Sequence, residues 1–197
     1  MKRELKQPKL LILESHWESD VHTHRHEGKE ISDILNVLEI EHSYHYITTK
    51  DEFSTFVHSF VDSPLKYLHL ALPVTNSCIA FLRDTIEFEE TGDIFSYFPG
   101  EHIFISNDYE AEEELAVAGL SNSNCLSIIG PNTPEENYSM TMFWANFYYL
   151  LCQDSENENE SENVHSIFSQ LLRLYPVKME GYERIDSDSL WEQVNLE

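Results

Sequence analysis

Residues 9–14 (KLLILE) form a short, nearly continuous apolar run, the pattern of a strand covered on both faces. Between residues 27 and 39, Ile31, Ile34, Leu35 and Leu38 recur at the spacing of one helical face, and residues 44–48 follow as the next strand. This is a β-α-β unit. Thr49-Lys50-Asp51-Glu52 has the form of a capping box, and Phe53, Phe56, Val57 and Phe60 then repeat at helical spacing until Ser63-Pro64 stops them.

The alternation continues. Residues 65–72 (LKYLHLAL) read as a third strand and residues 78–82 as a weaker fourth. Phe95 and Phe98 suggest a short helix ended at Pro99-Gly100, and residues 101–106 (EHIFIS) form a further strand. Asn107 and Asp108 offer N-caps for a following helix, with Glu110 completing an Asn-x-x-Glu box. Residues 125–130 (CLSIIG) form the last strand, and Thr133 with Pro134 at the first helical position opens an aromatic-rich helix over residues 138–152. Residues 153–163 carry five acids and no apolar side chain, which predicts a flexible acidic loop before a final helix over residues 164–174. Residues 175–197 read as an irregular tail.

Strands alternating with helices predict one α/β domain spanning residues 1–197. Its architecture is a three-layer sandwich around a mostly parallel central sheet of about six strands. In such sheets ligands bind beyond the carboxyl ends of the strands, so functional side chains should follow Glu14, Leu72, Ser106 and Gly130.

Charge narrows the choice of partner. Thirty-six acidic against twelve basic residues give a formal charge of −24, and no Lys or Arg occurs from Asp84 to Leu172. Binding to nucleic acid depends on cations that neutralise phosphates, so direct nucleic-acid binding is disfavoured, as is an anionic membrane. A protein partner should be basic, and a broad acidic surface can also imitate nucleic acid toward a DNA- or RNA-binding protein. Cys78, Cys125 and Cys152 lie in or beside apolar runs without CxxC spacing, which reads as reduced thiols and a cytoplasmic setting. No apolar run approaches the roughly 20 residues of a membrane span. Six glycines without a phosphate-loop pattern leave no nucleotide fingerprint, and no cofactor is expected.

Two clusters carry candidate chemistry. Glu14, His16, Trp17 and Glu18 follow the first strand, where a Trp can cover a ligand while carboxylates fix a cation. His22, His24 and His26 alternate in a polar stretch and are weak metal candidates, because they lack a closed ligand set. Asn107 and Asp108 offer a further binding position, with helix capping as the simpler assignment.

The order of elements carries a resemblance. The strand entering Glu14-Ser15-His16-Trp17-Glu18, the Tyr67-Leu68-His69-Leu70-Ala71 strand, the His102-Ile103-Phe104-Ile105-Ser106 strand and the late Leu174-Tyr175-Pro176 resemble a group of uncharacterised bacterial proteins with a caspase-like fold of the CHAT and metacaspase type. The resemblance implies a His after one strand and a Cys after the next major one, the imidazole assisting a thiolate. The matching positions hold Pro73 and Asp108, so it implies a degenerate dyad and a non-catalytic interaction or regulatory module. The alternative is a hydrolase with relocated residues, either cysteine-dependent, for which Cys125 with His69 is one pairing, or metal-dependent through the histidine-rich segment.

Overall fold

The computed structural model describes residues 10–17, 26–59, 66–75, 77–96, 102–105, 113–122, 125–131, 138–153, 160–185 and 191–196. Nine strands and six helices lie among them: β1 Leu10–Glu14, α1 Glu27–Val37, β2 His42–Tyr46, α2 Lys50–Ser59, β3 Tyr67–Ala71, β4 Cys78–Ala80, β5 Thr85–Glu87, α3 Phe88–Phe95, β6 His102–Ile105, α4 Glu113–Asn122, β7 Ser127–Pro131, α5 Tyr138–Gln153, α6 Glu160–Leu171, β8 Met179–Arg184 and β9 Trp191–Leu196.

Seven strands form the central sheet in the order β2-β1-β3-β6-β7-β8-β9. The first five run parallel, and β8 and β9 are antiparallel additions. The period of two along each strand sorts side chains into two cores. Leu11 and Leu13 of β1, Leu68 and Leu70 of β3 and Ile103 and Ile105 of β6 join Phe53, Phe95 and Leu115 from α2, α3 and α4. Leu10 and Ile12, Tyr67 and Phe104 point the other way, onto Ile31, Trp144 and Phe168 from α1, α5 and α6. The result is the expected three-layer α/β sandwich with a mostly parallel sheet.

The boundaries depart from the sequence reading in physically explicable places. The tail expected to be irregular carries β8 and β9. Met179 and Tyr182 of β8 enter the two cores on opposite faces, so tertiary burial rather than a long apolar run makes the strand. β4 pairs with β5 in a separate two-stranded sheet and is not part of the main one. The short helix lies at Phe88–Phe95, earlier than its aromatic spacing suggested, burying Phe88, Ile94 and Phe95. Within the acidic stretch 153–163, residues 154–159 lie outside the described residues, but Gln153 closes α5 and Glu160 already opens α6. α6 therefore begins within the stretch whose composition suggested a loop.

α2 uses the capping signal, with a variation. Thr49 Oγ1 accepts the Glu52 N–H at 3.3 Å, while the Glu52 carboxylate accepts the backbone N–H and hydroxyl of Thr48 at 2.6 and 2.9 Å. The reciprocal bond is displaced by one residue. No helix among the described residues is long and apolar enough to cross a membrane.

Candidate functional site

The sheet order fixes where a site can form. From β1 the chain moves outward to β2, then returns across β1 to β3, so the connections diverge between β1 and β3. A parallel sheet opens a crevice at the carboxyl ends of such a strand pair. Glu14 is the last residue of β1, level with Tyr46 of β2 and Ala71 of β3. The backbone is pinned there: Ser15 N donates to Ala71 O at 3.1 Å and Ile47 N to Glu14 O at 2.8 Å.

The Glu14 side chain is 1% exposed and faces the α1 layer. Its Oε1 accepts the Gly28 N–H at 3.1 Å, and its Oε2 accepts the Lys29 N–H at 3.1 Å and the Tyr44 hydroxyl at 2.6 Å. The N-cap residue of α1, His26, makes no side-chain cap bond of its own, so Glu14 supplies the cap from another strand. Gly28 permits this approach. A Cβ at Gly28 would lie 3.2 Å from Ala71 Cβ, Glu14 Cβ and Ile12 Cγ2, all on the sheet. The anion-binding end of α1 is therefore already filled by the protein's own carboxylate.

Burial pushes the Glu14 carboxyl up from its ordinary range, against the Tyr44 hydrogen bond, the charge of His26 and the two backbone bonds, which hold it down. Tyr44 is raised by its own burial and by donating to Glu14, and Tyr46 by burial and the same carboxylate. Both phenols stay protonated. The pocket thus holds a buried carboxyl group ringed by phenol and backbone donors, with two imidazoles beside it.

Two imidazoles face that carboxylate without closing on it. His16 Nε2 lies 3.8 Å from Glu14 Oε1, and His26 Nδ1 lies 3.9 Å from Oε2. Both separations exceed hydrogen-bond length. The two rings meet edge to face at 4.7 Å, and His16 stacks against Tyr46 at 5.7 Å. His16 Nδ1 is 3.4 Å from the Tyr46 hydroxyl. If Nδ1 carries the proton, Nε2 turns its lone pair toward Glu14. One donor atom from each of Glu14, His16 and His26 lies within 4.8 Å of the others.

No protein-family model matches this chain, and no curated protein matches it. Among solved structures it is similar to pro-sf-caspase-1, at a TM-score of 0.49 and 13% identity over 86% of this chain and 81% of that one. It is also similar to caspase-1 from Spodoptera frugiperda, at 0.47 and 13% over 88% and 82%.

The geometry sorts the candidates from the sequence. Glu14 and His16 come together as their adjacency suggested, and His26 joins them from the histidine-rich stretch. Trp17 is partly buried beside them in sequence. Glu18, His22, His24, Asn107 and Asp108 lie outside the described residues. Pro73 is buried, its carbonyl accepting the Ala80 N–H at 2.8 Å.

The cysteine pairing finds no geometry. His69 is fully buried at the middle of β3 with Nδ1 2.6 Å from the Tyr148 hydroxyl, and burial pulls its imidazole down to about 3. Cys125 precedes β7, its thiol donating to Ser127 O at 3.1 Å. Burial pushes the thiols of Cys125 and Cys152 up to about 12. Cys78 is partly buried, its Sγ 3.2 Å from Thr75 Oγ1.

Sequence reasoning missed Tyr44, Tyr46 and Gly28. Their signal was present: the polar-aromatic strand HSYHY places Tyr44 and Tyr46 on one face two residues apart, and Gly28 falls in the first turn of a helix in a glycine-poor chain.

Proposed function

We propose that this chain is a caspase-like protein without peptidase catalysis that acts through protein contacts. The observation that supports the reading is the burial of Cys125 and Cys152, two of the three thiols. A nucleophilic cysteine needs a depressed pKa and a partly open, electropositive setting. Cys125 and Cys152 are buried with pKa values raised to about 12. Pro73, at the position the sequence resemblance gives to the catalytic His, has no proton to exchange.

The charge of −24 supports a basic protein as the partner, including a nucleic-acid-binding protein whose ligand an acidic surface imitates. Two measurements test the reading together. Alkylation of Cys78, Cys125 and Cys152, followed separately by mass spectrometry across pH, should find no thiol that reacts fast below pH 7. Mixing with basic proteins should give complexes that weaken steeply between low and moderate salt. One fast thiolate would restore the cysteine hydrolase, and complexes indifferent to salt would remove the charge-based partner.

A further inference from the structure

We propose that Glu14, His16 and His26 form a site for one first-row divalent cation of the zinc class, at the carboxyl end of β1. Donor chemistry is the first support. Two imidazoles and one carboxylate are a borderline-soft set that suits zinc and its neighbours better than calcium or magnesium. Three protein ligands also leave a fourth position for water, the arrangement of an open rather than a closed structural site.

The second support is geometric. Zinc bonds of about 2.0–2.1 Å in tetrahedral array put neighbouring donors roughly 3.3 Å apart. The imidazole-to-carboxylate separations, 3.8 Å from His16 Nε2 to Oε1 and 3.9 Å from His26 Nδ1 to Oε2, are about half an ångström longer than that, and one donor atom from each of the three residues lies within 4.8 Å of the others. They are too long for hydrogen bonds and are ion-pair separations when an imidazole is protonated, so a cation at this point would take the place of the imidazolium charge. The His26 side chain is half exposed, so its position is not fixed by burial. The two rings meet edge to face at 4.7 Å, which keeps both imidazoles beside the carboxylate.

The surrounding contacts act as an outer shell. Tyr46 beside His16 Nδ1 can hold the tautomer that exposes the Nε2 lone pair. Tyr44 and the Gly28 and Lys29 amides fix the Glu14 carboxylate, while Oε1, with a single backbone donor, retains a lone pair for a metal. A cation is also what the buried carboxylate and a strongly anionic chain both favour. The site sits at the switch point of the sheet, where α/β folds place ligands.

The test uses the untagged full chain, stripped with a chelator and titrated with Zn²⁺ and with Co²⁺, whose visible spectrum reports coordination. One equivalent should bind, with a tetrahedral or five-coordinate cobalt spectrum rather than that of the aqueous ion. His26→Ala, at an exposed position that leaves the fold intact, and His16→Gln should each weaken binding at least tenfold, whereas His58→Ala on α2 should bind as the unaltered chain does. Unchanged circular dichroism in the two ligand variants separates lost ligation from lost structure. Binding within twofold of the unaltered chain in both variants, or no stoichiometric binding at all, would overturn the proposal. This outcome is independent of the thiol and partner measurements above.

Discussion

The Glu14 carboxylate, carried by the first strand, caps the first helix by accepting the Gly28 N–H on one oxygen and the Lys29 N–H on the other, each at 3.1 Å. Capping is normally local, from a Ser, Thr, Asp or Asn at the N-cap itself. Here it ties helix to sheet across the intervening segment. Glu14→Ala should remove a cap worth about 1 kcal/mol. It should also strip the half-buried Tyr44 hydroxyl of its acceptor, at about 1 kcal/mol. Urea unfolding should register that sum. Hydrogen exchange should quicken at the Gly28 and Lys29 amides first, and Glu14→Gln, which keeps an acceptor oxygen, should fall between.

Gly28→Ala poses a contest between propensity and space. Alanine gains up to about 1 kcal/mol over glycine inside a helix. Its methyl would meet three sheet atoms at 3.2 Å, two of them Cβ atoms that move only with the backbone. Overpacking of this kind costs roughly 1–3 kcal/mol, so steric cost should win and the variant should be less stable than the parent. A neutral or stabilised Gly28→Ala would mean that α1 can back away from β1, and the cap bonds at Glu14 would then have to lengthen.

How much of this was legible in the sequence follows from what each signal encodes. The strands β1 and β3 were read from apolar runs because both faces are covered, and α1 and α5 from periodicity or aromatic density. Glu14 and His16 were legible from position alone, since the end of a buried parallel strand is where chemistry collects. His16 lies near His26 in sequence, so a histidine-rich segment that folds back could bring the two together, but which of the histidines would reach Glu14 was not legible, because nine residues outside a regular period carry no information about where a chain returns. β8 and β9 were hidden for a related reason. Their strand character comes from pairing with β7 and with each other, which local composition does not reveal.

His69 and Tyr148 supply a pH dependence. Burial lowers the folded imidazole to about 3, so the group is neutral in the fold while the unfolded chain takes up a proton near its ordinary value of 6.5. The unfolded state binds more protons between those two values. Stability should therefore be complete above about pH 6.5 and fall as pH drops toward 3, with a slope from this group of up to about 1.4 kcal/mol per pH unit. Tyr148→Phe alone should cost about 1–3 kcal/mol at neutral pH by deleting the 2.6 Å bond. Adding His69→Phe should recover part of that loss and flatten the acid slope, a pair of effects that urea midpoints at pH 7, 6 and 5 can resolve.

His165 and Glu183 give the opposite sign where α6 meets β8. Nε2 of His165 lies 2.6 Å from Glu183 Oε1, and that hydrogen bond raises the imidazole above its ordinary value despite the opposing effect of burial. A raised folded value means that the fold holds a proton the unfolded chain gives up. The contribution is fully present below about pH 6.5 and disappears as pH rises through the folded value. Both side chains are partly open to solvent, which screens the pair, so it should be worth no more than about 1 kcal/mol. Glu183→Gln should accordingly be less stable than the parent at pH 6 and close to it at pH 9, with salt narrowing the difference at pH 6. Measuring the variant against the parent at each pH cancels the His69 effect, because that group is common to both proteins. A gap that stayed constant from pH 6 to 9 would show that Glu183 contributes through packing on β8 and not through its charge.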